Sequence, residues 1–485
     1  MTTLVMKFGG SAVGMTIGLT QVLSIVLFEH ERWDRLLLVV SALDGVTDAL
    51  LEAAHLAQLS NRRGYRRIVA NVRQRHIALI EHLPLGVTER NALQADIDQM
   101  LFDMLNTCQT LAETPDNEFA TNTESDHENE ARQKETLARI NAIVAVGERL
   151  AARIVAALLR QNQLRSVAID ATDLIITDDV FNSATPNIEL TRERIENNLA
   201  PMLSRKIIPV ITGFIGSTTA GKTTVLGRGG SDYTASVLGV CANADEVWIW
   251  TDVDGLMTAD PREISAAQNI PTLSYEEAAE LAYFGARILH SRMIEPLRER
   301  QIPLRIRNVF KPQQPGTLIQ RSNPALSAGL KAVTSIQGLG LAARHSGPLS
   351  AVSLLVDETL FKLTGTHADV TLSTQSSSES FVCFVIPTTA GADAVHRLQI
   401  DVEERLLSDP FVSQWSVRSV NITTVIGTQL DRQHYLTAEI LMNLRDTPIL
   451  TMAHGPSGCS LSIVTEMDFG EPVLSRIHDV ILRNG

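Results

Sequence analysis

Gly216–Thr223 (GSTTAGKT) fits the phosphate-loop pattern G-x-x-x-x-G-K-[ST], and a second glycine turn, Gly229-Gly230-Ser231-Asp232, follows shortly after it. Either could hold phosphate oxygens on backbone amides. A true P-loop also needs a buried strand before the glycines and a helix that starts at the Lys-Thr pair. Ile207–Ile215 (IIPVITGFI) supplies the strand. The helix fails: Lys222 leads into Thr223, Thr224, Val225 and Leu226, a β-branched run of poor helix propensity, and then into Gly227. Ser217–Gly221 therefore reads as a hairpin tip with Thr223–Leu226 as its return strand, and Lys222 as an exposed turn lysine. The second turn has what the first lacks. Ser231 or Asp232 can cap a helix Tyr233–Ala242 whose first amides face back toward the diglycine. A third element is Lys7, just before Gly9-Gly10-Ser11 at the end of an apolar run. The glycines let the backbone approach an oxyanion, and the lysine adds a point charge. Two glycine turns at strand ends could clamp one polyphosphate from either side.

These turns must be carried by strands that end together. Leu4–Phe8 reads as a strand, followed by an amphipathic helix near Ile17–Trp33. Leu36–Ser41 (LLLVVS) is almost wholly apolar, as a parallel strand covered on both faces would be. Helical patterns run from Val46 to about Leu111. The acidic stretch 113–135 interrupts them and reads as a disordered or solvated insertion. Further on come helix Thr136–Gln161, strands near Ser166–Ile169 and Leu174–Thr177, helix Thr191–Ser204, strand Glu246–Thr251, helices across Tyr275–Arg300 and strand Leu304–Asn308. Strands alternating with helices predict an α/β domain with a largely parallel core over residues 1–320. Pro312–Asn323 reads as a boundary. Residues 330–485 show short strands and few long helices. The paired segments Thr374–Glu379 and His454–Cys459 there hint at duplication into two small α+β units.

The whole composition narrows the function classes. A chain of 485 residues with 44% hydrophobic content can bury a core in two or three domains. Its net charge of −13 argues against nucleic acid or an anionic membrane as the main partner. Cys108, Cys241, Cys383 and Cys459 are far apart, form no metal-type pair and suit a reducing compartment. No signal-peptide architecture precedes the first strand, and no apolar run approaches a membrane span. The expectation is a cytoplasmic protein.

Six segments, in order, resemble aspartate kinases of the amino-acid-kinase fold: Lys7–Val13 (KFGGSAV), Ile211–Ser217 (ITGFIGS), Leu226–Ala235 (LGRGGSDYTA), Trp250–Arg262 (WTDVDGLMTADPR), Tyr283–His290 (YFGARILH) and Pro315–Ile319 (PGTLI). The C-terminal third resembles that family's paired ACT regulatory domains, mainly through Gln375–Glu379. The resemblance implies a three-layer αβα domain with a largely parallel sheet, followed by two ACT-like domains. It implies a monofunctional form, with no homoserine dehydrogenase module. The implied reaction is transfer of the ATP γ-phosphoryl group to the β-carboxylate of L-aspartate. Mg²⁺ would be held mainly by the nucleotide, with no metal site in the protein, and the ACT-like domains would form a homodimer.

Residue roles follow from the same resemblance. Lys7 matches the lysine that stabilises the transferring phosphoryl group, with Gly9, Gly10 and Ser11 lining the phosphates. Asp232 matches the aspartate that orients that lysine. Arg228, with Gly229 beside it, and Glu148 match the grips on the substrate's α-carboxylate and α-ammonium. Ser41 and Thr47 match the loop beside the substrate. Thr251, Asp252, Met257, Arg262 and Arg287 match nucleotide contacts. Glu148 sits in an otherwise apolar helical stretch, where a bound ammonium would explain a costly carboxylate; an ordinary surface pair with Arg149 or Arg153 is the alternative. The chain departs from the family pattern at Ala12, Met257, Arg287 and Ser291. The family's glycine-rich turn after the first ACT strand is absent from Leu341–Leu349, so weak or lost inhibition by lysine or threonine is expected. Two other readings remain: a same-fold kinase acting on a different acid, and a non-catalytic regulatory subunit.

Overall fold

A computed structural model describes residues 1–113, 126–285, 289–321, 329–345, 349–364, 369–375, 379–385, 391–408 and 412–484. The chain divides into two compact units. The first comprises Met1–Leu256, Pro271–Tyr275 and His290–Arg321; the second comprises Met257–Ile270, Glu276–Leu289 and Ser322–Gly485. Residues 257–270 and 276–289, read from sequence as part of 1–320, thus group with the second unit.

An eight-stranded sheet organises the first unit. Its order is Ser166–Ile169, Ile208–Thr212, Arg35–Val40, Thr3–Phe8, Glu246–Thr251, Leu304–Asn308, Thr317–Gln320 and Thr272–Ser274. The first six strands are parallel, and Thr317–Gln320 turns back antiparallel on Leu304–Asn308. Pro312–Asn323 is therefore no simple boundary, because its middle completes the sheet. The two strands at the centre are buried along almost their whole length, which is why they read as unbroken apolar runs. On one face, Leu4, Met6 and Phe8 pack with Leu36, Leu38 and Val40 against helices Thr16–His30 and Val146–Gln161. On the other, helix Gly230–Cys241 packs on Thr3–Phe8 and Glu246–Thr251, with helix Ser291–Arg300 beside it. Period-two alternation puts Lys7 on this second face.

The P-loop look-alike is a hairpin. Strands Ile215–Thr218 and Thr223–Val225 pair antiparallel, with Ser217 opposite Thr223. Lys222 follows the tip but is not free: its ammonium lies 2.9 Å from Glu135. Residues 126–135, part of the stretch read as a disordered or solvated insertion, are helical, with 129–133 exposed. Asp126–Val144 is a helix, and residues 114–125 lie outside the described part. The helix docks through polar contacts that composition conceals. Lys134 reaches Asp179 at 2.8 Å, and the buried Asn141 donates to Phe181 O at 2.7 Å. The single helix expected over Thr136–Gln161 breaks at Ala145 into two.

The second unit contains one six-stranded antiparallel sheet built from a repeated βαββα order. The first copy runs Leu330–His345, helix Leu349–Thr364, Asp369–Gln375, Glu379–Val385 and helix Gly391–Leu407. The second runs Val412–Gly427, helix His434–Asn443, Thr451–His454, Ser460–Glu466 and helix Gly470–Asn484. The repeated order agrees with the duplication hinted at by sequence, and four of the strands are short as expected, but two are not. Leu330–His345 and Val412–Gly427 are each 16 residues long and pair with one another at the sheet's centre. Gly338 and Gly340 mask the alternation locally, whereas pairing on both edges carries the strand through them. Among the described residues no helix is long and apolar enough to cross a membrane.

Candidate active site

Lys7 and Asp232 meet at the C-terminal end of the central strands. The ammonium lies 2.6 Å from Asp232 Oδ1, with the side chains only 11% and 15% exposed. Asp232 does not cap its helix as expected, and neither does Ser231. Gly229, in the left-handed region at φ +68°, is the N-cap, and no side chain supplies the capping bond. The helix thus starts three residues early, at Gly230, and its first turn carries Asp232 to the lysine. The Gly9 N–H is already committed, donating to Trp250 O at 3.3 Å. Gly9 lacks a side chain where a Cβ would lie 3.7 Å from Lys7 Nζ and 3.8 Å from Trp250 O. Gly10 and the half-buried Ser11 open the short helix Gly10–Val13 directly after it.

Glu148 is buried in the first turn of helix Val146–Gln161, 2% exposed. Its Oε1 accepts the Ala42 N–H at 3.2 Å, and Oε2 is buried with no hydrogen-bond partner. Gly147 allows this approach, since a Cβ there would come within 2.8 Å of the Ala42 side chain. The surface-pair alternative fails. Arg149 binds Asp170 at 2.5 Å, and Arg153 lies 3.8 Å from Asp96. Burial pushes the Glu148 carboxyl up to about 8. The half-buried Ser41 donates its N–H to Phe8 O at 3.2 Å, and Thr47 opens helix Val46–Gln58 on the same loop. One strand end therefore joins the Lys7 segment to the Glu148 segment.

Arg228 is exposed in the turn before Gly229. Gly229 is required here twice over, because its φ is positive and a Cβ would fall 2.8 Å from His290 Cβ. Half-buried His290 caps helix Ser291–Arg300 through Nδ1, which accepts the Arg292 N–H at 3.3 Å. Burial, and then the charges of Arg292 and Arg228, hold its pKa below the ordinary histidine value. His290 and Arg292 were assigned no role from the sequence. The Leu289-His290 pair marks the place, but only the fold brings it against the diglycine.

Thr251 and Asp252 end the strand beside Lys7, and Thr251 Oγ1 donates to Asp252 Oδ1 at 3.2 Å. Two residues further on, Asp254 accepts from Asn308 Nδ2 at 2.6 Å and from Lys311 Nζ at 2.7 Å. These contacts hold its carboxyl below the usual range and tie the loop to the next strand. Met257 and Arg262 belong to the second unit, where Arg262 pairs with Asp260 at 2.5 Å. Arg287 lies outside the described residues. Among the described residues no cluster of three metal-ligating side chains occurs.

The Amino acid kinase family model matches residues 2–308. The chain is 32% identical over 79% of its length to the bifunctional aspartokinase/homoserine dehydrogenase 1, chloroplastic, of Arabidopsis thaliana, covering 40% of that protein. It is 32% identical over 66% of its length to aspartokinase 1, chloroplastic, of the same plant, covering 52%. It thus spans about half or less of the length of these curated relatives. Escherichia coli aspartokinase III in complex with aspartate and ADP matches with a TM-score of 0.76 at 25% identity, over 99% of this chain and 100% of that one. The stretch matched by the family model contains the Lys7–Asp232 pair and six parallel strands of the large sheet. On these grounds the chain belongs to the amino acid kinase family.

Proposed function

We propose that the protein transfers the γ-phosphoryl group of ATP to the β-carboxylate of L-aspartate, giving 4-phospho-L-aspartate. The Lys7–Asp232 pair carries the reading, because a largely buried lysine is held by one carboxylate beside the side-chain-free Gly9. The relatives' names and the aspartate and ADP bound to aspartokinase III support the same acceptor and donor.

The chemistry asks for little proton transfer. A side-chain carboxylate with a pKa of about 3.9 is already ionised at neutral pH. One of its oxygens attacks Pγ as the bond from Pγ to the ADP oxygen breaks, ADP leaves as an anion, and no base is needed. The obstacle is bringing one anion up to another, so alignment and positive charge do the work. The nucleotide enters with its own Mg²⁺. Lys7 neutralises the transferring group, Asp232 fixes the direction of the ammonium, and the start of helix Gly230–Cys241 adds its dipole. Arg228 offers a fork for the α-carboxylate. Glu148 has one oxygen left over in a buried place, which an α-ammonium would satisfy. Ser41 and Thr47 would lie beside the acceptor, and Thr251 and Asp252, at the end of the strand next to Lys7, beside the nucleotide.

An ATP-dependent hydroxamate assay tests the reading directly. Aspartate is expected to be preferred over glutamate by roughly 10–200-fold in kcat/KM, the range that one methylene allows. A preference for glutamate would reassign the acceptor, and no turnover with either would leave a non-catalytic member of the family. The duplicated βαββα unit is proposed to act as an ACT-like pair that joins two copies of the chain. Light scattering after gel filtration should give twice the chain mass of 53.0 kDa, and a monomer would overturn that assembly.

A further inference from the structure

Arg292 spreads its guanidinium over three segments that meet beside the Gly227–Asp232 turn. Nη1 donates to Ser183 Oγ at 2.8 Å and to Leu226 O at 3.0 Å, and Nη2 donates to Ala184 O at 3.1 Å. The same guanidinium lies 5.0 Å from the centroid of the Tyr233 ring, within cation–π range. Leu226 comes just before Gly227-Arg228, and Tyr233 just after Asp232. One side chain therefore grips the turn at both ends. Between those ends the backbone passes through left-handed Gly229, and Gly230 N–H donates to Gly227 O at 2.9 Å. Arg228 stands exposed in the middle of this turn. A planar fork suits acceptors spread over two nitrogens and an aromatic face, which a lysine's single nitrogen cannot serve together.

We propose that Arg292 is a positioning residue of the phosphoryl-transfer site, holding Leu226–Tyr233 so that Arg228 meets the acceptor and Asp232 meets Lys7. The inference rests on the aspartate kinase reading above. It assigns Arg292 to the acceptor side: its contacts reach neither the Lys7–Ser11 segment nor Thr251, so nucleotide binding should be spared.

Steady-state kinetics and hydrogen exchange on full-length Arg292→Ala, Arg292→Lys and Tyr233→Leu test it. Losing hydrogen bonds from a charged donor should raise the KM for aspartate about tenfold or more in Arg292→Ala, and kcat should fall as well. The KM for ATP should stay within about twofold, Arg292→Lys should recover only part of the loss, and Tyr233→Leu should show a smaller change of the same kind. Amides of 226–233 should exchange faster in Arg292→Ala than in the wild type. Unchanged kinetics, or equal rises in both KM values, would overturn the positioning role. If the wild type does not phosphorylate aspartate, the kinase reading fails separately. Hydrogen exchange then decides alone, and unchanged protection of 226–233 would refute the brace. Should Arg292→Ala fail to fold, the lysine and Tyr233 variants read the same split.

Discussion

Lys7→Ala is expected to lower kcat by about 10²–10³-fold while changing the KM for aspartate far less, the usual cost of losing a group that stabilises charge in the transition state. The size follows from the site's arrangement. Lys7 is 8% exposed and held by Asp232 at 2.6 Å, so its charge acts where water screens it little. Alanine would also leave Asp232 without its cation, adding a like charge beside an incoming triphosphate. Lys222→Ala is the matched contrast. That lysine stands in the segment whose letters spell a P-loop, but it pairs with Glu135 on a half-exposed surface. Such a pair is worth about 0–1 kcal/mol, and turnover should stay within about twofold of wild type. Steady-state rates of the two purified variants check both statements. Normal turnover in Lys7→Ala, or a collapse in Lys222→Ala, would reverse the choice between the two glycine turns.

Glu148→Gln should give the second large effect, a rise in the KM for aspartate of about 30-fold or more, as expected when one member of a buried charge pair is truncated. Its pH dependence is the sharper signature. The folded carboxyl titrates at about 8 and the unfolded one near ~4.3, so the folded state holds the extra proton between those values. Stability of the free protein should therefore fall as pH rises through this window and level off above about 8. Binding an α-ammonium favours the ionised form. Aspartate binding at neutral pH should then release a proton from Glu148, and the KM for aspartate should improve between about pH 6 and pH 8. The glutamine variant should lose both slopes and be no less stable than wild type at pH 8. Melting curves and kinetics across pH 5–9 would show this. Parallel pH profiles for the two proteins would rule out the proton coupling.

Much of this arrangement was legible in the residues. The apolar runs at Leu4–Phe8 and Leu36–Ser41 announced central parallel strands, because burial on both faces removes the polar alternation that would otherwise mark a strand. Thr223–Leu226 announced a return strand, because β-branching after Lys222 opposes a helix. Other features were hidden by their partners. The polar 126–135 stretch became helix because Lys134 and Glu135 found Asp179 and Lys222, far away in sequence. Glycines at 338 and 340 concealed a long strand that pairing on both edges sustains. Arg292 carried no sign of its contacts, since its acceptors are mostly backbone carbonyls, and any residue can offer those.

Local chemistry was settled by the sequence alone: which glycine turn could start a helix, which lysine ended a buried strand, and which acid stood in an apolar helix. Backbone propensity and side-chain period act over a few residues, so a short segment is enough to express them. The tertiary structure decided the relations. It put Asp232 on Lys7 instead of on its own helix cap, left one oxygen of Glu148 buried and unpaired, and brought His290 and Arg292 to the glycine turn. Those outcomes depend on parallel strands ending side by side and on helices packing over them. Burial then sets the charge on Glu148, and no residue's immediate neighbours in sequence can specify how much water is excluded around it.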